Sequence, residues 1–177
     1  MSRPDVPEGG PVVRARAAAA AVLDPELPVL TIDDLGVLRA VAVDAAGQVT
    51  VTLTPTYSGC PAMDAIRDDV LTAVRAAGFA SVEVLTVLSP AWTTDWISEA
   101  GRRELAAAGI APPAPAGRPT SGGVVDVLLT LGPPEVVRCP QCGSADTRET
   151  SRFGSTACKA MRVCSSCREP FDHVKAI

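Results

Sequence analysis

The sequence predicts an α+β protein in two parts: a small domain of element order α-β-β-α-β-α, followed by a ribbon built around four cysteines. Three observations lead there. Short apolar runs alternate with period two, and longer runs between them repeat at helical spacing. Two Cys-x-x-Cys pairs stand near the C-terminal end, and a stretch dense in proline and glycine, Ala111 to Gly123, separates them from the rest.

The helix comes first. Val12 to Leu23 is rich in alanine and arginine and should stop at Asp24-Pro25, because a residue before proline avoids helical backbone. Val37–Val43 and Gln48–Thr54 are apolar or alternating runs around Asp44-Ala45-Ala46-Gly47, which reads as a β-hairpin. In the second run Val49, Val51 and Leu53 share one face and Thr50, Thr52 and Thr54 the other, and Pro55 ends it.

After the loop Thr56 to Cys60, Pro61 sits where a helix start tolerates proline, and Met63, Ile66, Val70, Val74 and Ala77 follow at helical spacing up to Gly78. Ser81–Leu88 is a third strand, and Asp95–Ala108 a helix ended by Gly109. The expected domains are therefore 1–110, a linker over 111–123, and a ribbon over 124–177, in which Val124–Leu131 reads as one more strand.

Composition narrows the function. Hydrophobic residues make up 47% but aromatics only 3%, so the core must be built from Val, Leu, Ile and Ala. A formal charge of -4 provides no field that gathers phosphates, so a protein or small molecule is expected as partner, not nucleic acid. No run approaches the ~20 apolar residues of a membrane span, and the Ala17–Val22 tract is bounded by Arg14, Arg16 and Asp24. Met1 to Pro11, with Asp5, Glu8 and three prolines, is unlike an export signal. The expected location is the cytoplasm, where cysteines stay reduced, so six of them call for a metal or a reactive thiol.

Cys139-Pro-Gln-Cys142 and Cys164-Ser-Ser-Cys167 have the spacing of a tetrahedral four-thiolate zinc site. Each turn aims two sulfurs at one ion, and the closed shell leaves no position for chemistry. The alternatives are four unliganded buried thiols, or iron held as in rubredoxin; against iron, the second turn continues with Arg168 where a glycine would let backbone amides reach the sulfurs. Cys158 is spare, and reads either as a buried small hydrophobe or as a second metal-handling thiol beside Lys159. His173, the one histidine, reads as surface or packing.

Cys60 falls at the strand-to-helix junction, where free amides and the helix dipole favour an anion, so its thiol is expected to ionise easily. The plain alternative is an inert cysteine capping the helix. A thiol enzyme lacks a base in this domain, because His173 lies outside it.

Asp24-Pro25-Glu26, Asp34-Leu35-Gly36-Val37, Thr54-Pro-Thr-Tyr-Ser-Gly-Cys60-Pro61 and Ser89-Pro-Ala-Trp-Thr93 together resemble the successive signatures of the SufT-like iron-sulfur assembly domain over about Val22 to Ala108. Ala91 stands where that family often has a second proline. The ribbon, with Phe153-Gly-Ser-Thr-Ala-Cys158-Lys-Ala and Pro170-Phe-Asp172, resembles one branch, the PaaD (also PaaJ) subunits of the phenylacetyl-CoA 1,2-epoxidase system of aerobic phenylacetate degradation.

The resemblance implies a non-catalytic accessory subunit that helps mature a di-iron oxygenase, with the oxygenase and its flavin and iron-sulfur reductase as partners and a homodimer as a further possibility. It implies structural zinc at Cys139, Cys142, Cys164 and Cys167. It places transient iron or iron-sulfur handling on Cys60 and the acidic pair Asp24 and Glu26, to which the reading of the residues adds Cys158 as a second thiol. Asp34 and Gly36 are expected to shape a turn, Thr54, Thr56, Tyr57 and Ser58 to offer hydrogen bonds to sulfur, and Trp92 and Trp96, four apart, to form either a partner surface or ordinary packing. A rubredoxin-like electron-transfer or docking subunit of the same oxygenase is the alternative.

Overall fold

The computed structural model describes residues 10–113 and 136–175; the strand expected over Val124–Leu131 and the linker beyond Pro113 lie outside them. The chain divides into two compact units, Met1–Trp92 with Trp96–Glu104, and Thr93–Asp95 with Leu105–Ile177.

In the first unit α1 (Pro11–Ala20) opens with proline, whose fixed φ suits the first turn. It ends before the expected Leu23, because Val22 and Asp24 turn to extended pairing: the Ile32 amide bonds to the Val22 carbonyl and the Asp24 amide to that of Leu30. Strands β1 (Leu38–Val43) and β2 (Val49–Leu53) form the expected hairpin. Its turn holds because Asp44 Oδ1 accepts the amides of Ala46 and Gln48 while Gly47 takes a left-handed conformation.

Helix α2 (Met63–Ala76) then crosses over, and β3 (Val82–Thr86) returns parallel to β2, in the order β1-β2-β3. Helix α1 packs on β1, α2 on β3, and the helices on each other, so both lie over one face of the sheet. The core between them is Val49, Val51 and Leu53 of β2 against Ile66, Val70 and Val74 of α2, with Leu30, Ile32 and Leu35, and among the described residues no aromatic ring in it is fully buried. Each such side chain contributes about 1.5–3 kcal/mol by leaving water.

The last expected helix is in two pieces, a 3-10 turn Thr94–Trp96 and α3 (Glu99–Ala107). The break is a cap. Ser98 Oγ accepts the Gly101 amide and donates to Asp34 Oδ1 at 2.6 Å, so α3 starts where that serine is fixed. Gly36, in left-handed backbone, passes so close to Trp96 that a Cβ there would lie 2.6 Å from the Trp96 Cβ.

The second unit is a three-stranded antiparallel meander of β4 (Thr147–Ser151), β5 (Lys159–Cys164) and β6 (Pro170–Val174). Ala111 joins β6: its amide bonds to Asp172 O, and its carbonyl accepts the Val174 amide. No helix among the described residues is long and apolar enough to cross a membrane.

Candidate metal centre and thiol site

The two Cys-x-x-Cys segments fold as near copies. In the first, the Cys139 amide donates to Ser144 O at 2.9 Å and the Gly143 amide to Cys139 O at 2.8 Å; in the second, the Cys164 amide donates to Glu169 O at 3.0 Å and the Arg168 amide to Cys164 O at 3.0 Å. The residue after each second cysteine is left-handed, Gly143 at φ 73° and Arg168 at φ 67°. Glycine enters that region freely, whereas arginine does so only because the ribbon demands it.

Here the structure corrects the sequence reading. Arg168 adopts the glycine-like conformation, and the Glu169 amide reaches the Cys167 sulfur as the Ser144 amide reaches that of Cys142. The absence of a glycine therefore does not separate zinc from iron.

The four sulfurs converge within 4.8 Å of one another, with Cys139–Cys167 and Cys142–Cys164 both at 3.6 Å. A disulfide would bring two of them to about 2.05 Å. A tetrahedron of metal–sulfur bonds near 2.3 Å has edges of about 3.8 Å, so the donor set and its spacing fit one four-thiolate ion. Cys139 and Cys164 are buried with Ala111, Val137 and Phe171, which fixes half the set in apolar packing.

Their protonation is uneven. The Cys167 amide, with that of Ser166, draws Cys164 down to about 6. Cys167 accepts the Glu169 amide, which lowers it, yet burial and the neighbouring cysteines push it up to about 12. Cys142 is likewise lowered by the Ser144 amide but raised overall by burial and Cys164. One thiolate forms readily and makes the next harder to form, a conflict that a shared cation removes.

Cys158 lies on the same unit but outside this cluster, buried, with its Sγ 3.1 Å from Thr156 Oγ1. Lys159 is buried too and pairs with Asp172 at 3.4 Å. His173 is packed inside β6 and is not among the clustered ligands.

In the first unit Cys60 is half-buried in the loop between β2 and α2. Helix α2 begins at Met63 with Ala62 as its cap, so Cys60 stands ahead of the helix mouth. Burial pushes its thiol up, and the carboxylates of Glu26 and Asp24 add to this, outweighing the Ala62 amide and the Tyr57 hydroxyl that pull it down. This overturns the expected easy ionisation: the helix-end amide is present, but desolvation and two acids win. The same influences place the acidic motif and Cys60, distant in the chain, in one electrostatic neighbourhood.

Asp24 is buried, and its Oδ1 accepts the amides of Glu26 and Leu27 at 2.8 Å each, which aims the acidic turn. Thr54 closes β2 with a buried hydroxyl that has no hydrogen-bond partner among the described residues. Asp34 and Gly36 shape the turn that receives Ser98 and Trp96. Trp92 is only 5% exposed and donates its indole N–H to Leu35 O, so it packs and cannot form an exposed ridge with Trp96. Trp96 is half-buried under the Arg39 guanidinium, 3.4 Å from the ring centroid. Sequence reasoning missed the Ser98–Asp34 bond and the Ser144–Ser166 hydroxyl contact of 2.8 Å linking the two cysteine turns. The serines within two residues of Cys142 and Cys164 were the available signal for the latter.

Each part of the chain matches a known family. Residues 13–86 match the family described as iron-sulfur cluster assembly protein, and residues 126–175 the PaaD zinc beta ribbon domain. An Escherichia coli (strain K12) protein, provisionally named as a subunit of 1,2-phenylacetyl-CoA epoxidase, is 47% identical over 91% of this chain and 90% of its own length. A Porphyromonas gingivalis (strain W83) Fe-S protein maturation auxiliary factor is 42% identical over 48% of this chain and 80% of its own. Among solved structures, a Bacillus anthracis domain of unknown function, DUF59, superposes with TM-score 0.50 at 29% identity, covering 54% of this chain and 91% of that one.

Proposed function

Because the chain belongs to the PaaD family of phenylacetyl-CoA epoxidase subunits, we propose that it is a non-catalytic accessory subunit that hands iron, as ion or cluster, to an oxygenase component of that system. The observation that carries this reading is that the carboxylates of Glu26 and Asp24 act on the half-buried Cys60 thiol through their field, without converging on it as a ligand group. A half-buried thiol in the field of two carboxylates attracts a cation and repels anions. Binding displaces the thiol proton, and the resulting thiolate is held by the Ala62 amide and the Tyr57 hydroxyl.

One sulfur with carboxylates does not complete a ligand shell. Such a cargo site lets the metal leave, which a donor requires and a closed four-thiolate shell prevents. The relatives named as Fe-S protein maturation auxiliary factors, which match less than half of this chain, support a role in iron-sulfur assembly. Zinc at Cys139, Cys142, Cys164 and Cys167 then serves the ribbon's architecture, in line with the description of the matching family. The oxygenase and the reductase are the expected partners, in the cytoplasm, and Cys158 acts in packing.

A second reading, iron in the ribbon as an electron carrier, draws on the amide-to-sulfur bonds at both cysteine turns. Visible absorption of the purified chain distinguishes it. The leading reading is tested in cells carrying Cys60→Ser: iron content and activity of the oxygenase should fall, and full maturation would end it.

A further inference from the structure

Strand β3 is an edge. Its neighbour in the sheet is β2 alone, and among the described residues nothing pairs with its other side. The Ser81 carbonyl accepts the Val49 amide, and the Val87 amide donates to Leu53 O, so these odd-numbered positions turn their backbone toward β2. Alternation then turns the amides and carbonyls of Val82, Val84 and Thr86 to the open side. A row of unpaired donors and acceptors is a template for another strand.

This edge is also the floor of a groove of about 750 Å³ whose wall is α2, through Arg67, Leu71 and Arg75. These three stand four apart, on one helix face. Neither guanidinium has an ion pair among the described residues, and the one acid lining the groove is Glu83, whose side chain leaves the opposite face of the strand from Val82 and Val84. The groove therefore offers two cations flanking one apolar residue.

We propose that the β3 edge and this groove receive an extended acidic segment of a client protein, which adds as a fourth strand. The spacing specifies it. Arg67 and Arg75 are eight residues apart, about 12 Å along a helix at about 1.5 Å per residue. An extended strand at about 3.4 Å per residue spans that distance in four residues, so two acids at positions i and i+4 meet both arginines, and an apolar residue at i+2 meets Leu71. Leu85, 41% exposed at the same edge, gives the strand apolar cover on the other face. This inference is independent of the iron reading, since it uses no residue near Cys60.

The probe is a fluorescein-labelled peptide of seven residues, threonine alternating with glutamate, valine and glutamate, titrated with the full chain by anisotropy. Binding should weaken with salt and fall at least tenfold in Arg67→Glu and in Arg75→Glu, both exposed positions. Thr86→Pro, which removes one outward amide at an exposed site, should weaken it as well. Methylating the peptide's alternate backbone amides on the strand-facing side should abolish binding with the protein unaltered. Equal binding by the methylated peptide, or by one with its acids at i and i+3, overturns the proposal, as does no binding at all. A concentration-dependent dimer lost in Arg75→Glu would place a second copy on this edge instead, and overturns it too.

Discussion

Arg168 and Gly143 occupy equivalent places in the two cysteine turns and share one left-handed conformation, at φ 67° and 73°. Only one of them is suited to it. Left-handed backbone costs a side-chain-bearing residue about 1–2 kcal/mol, while a new glycine gives back about 0.5–1 kcal/mol through the freer unfolded chain. Arg168→Gly should therefore stabilise the ribbon by about 0.5–1 kcal/mol, and Gly143→Ala should destabilise it by about 1 kcal/mol. Chelator-resistance and denaturation midpoints of the two variants read this directly; a destabilised Arg168→Gly would mean that the arginine side chain matters more than its backbone.

The ribbon's ion should be needed for its fold. Its three strands enclose a small apolar cluster in which Cys139 and Cys164 are themselves members, too little surface to hold the unit alone. Cys139→Ala should lose one tightly held ion per chain, together with ribbon structure, whereas Cys60→Ala should keep both. Elemental analysis and amide spectra of the two variants check it. An unchanged metal content in Cys139→Ala would refute the four-sulfur site.

Gly36→Ala should be among the most damaging single-methyl additions in the first unit. The new Cβ would meet the Trp96 Cβ at 2.6 Å and its carbonyl oxygen at 2.7 Å. The left-handed backbone at this position disfavours alanine regardless. A loss of more than about 2 kcal/mol is expected. Ser98→Ala, which removes the cap of α3 and the bond to Asp34 Oδ1, should cost about 1–2 kcal/mol. Thermal unfolding ranks the pair, and a Gly36→Ala protein as stable as the parent would show that the Trp96 segment is free to move.

These contacts also show what the sequence could reveal. The period-two run of β2, the helical spacing from Met63 to Val74 and the doubled cysteine pairs are local patterns, and each maps onto an observed element. The break before α3 was not legible, because Ser98 is fixed by Asp34, 64 residues away. For Trp92 the sequence left partner surface and packing open for the same reason: the partner that decides for packing is the Leu35 carbonyl across the domain. Most telling is Cys60, whose place near a helix start favours a low pKa, while the acids that reverse the direction come from a distant turn.

Cys60 should therefore behave as a protected thiol whose reactivity is set by its acids. Its pKa lies above the ordinary 9.0, raised by burial and then by Glu26 and Asp24. The deprotonated form attacks alkylating agents, so at neutral pH it should react more slowly than a free cysteine, which itself is only a few per cent thiolate. Its rate should climb about tenfold per pH unit until the pKa is passed. Glu26→Gln removes a charge that opposes the thiolate, so the midpoint should move down and the rate at pH 8 should rise roughly two- to fivefold. Asp24 is less suitable for the test, since its carboxylate also holds the amides of Glu26 and Leu27. Iodoacetamide labelling followed by mass spectrometry of the Cys60 peptide across pH 6–10 measures both slopes. A Glu26→Gln protein with an unmoved midpoint would separate the acidic turn from the thiol, and leave Cys60 without the pair that is proposed to gather its metal.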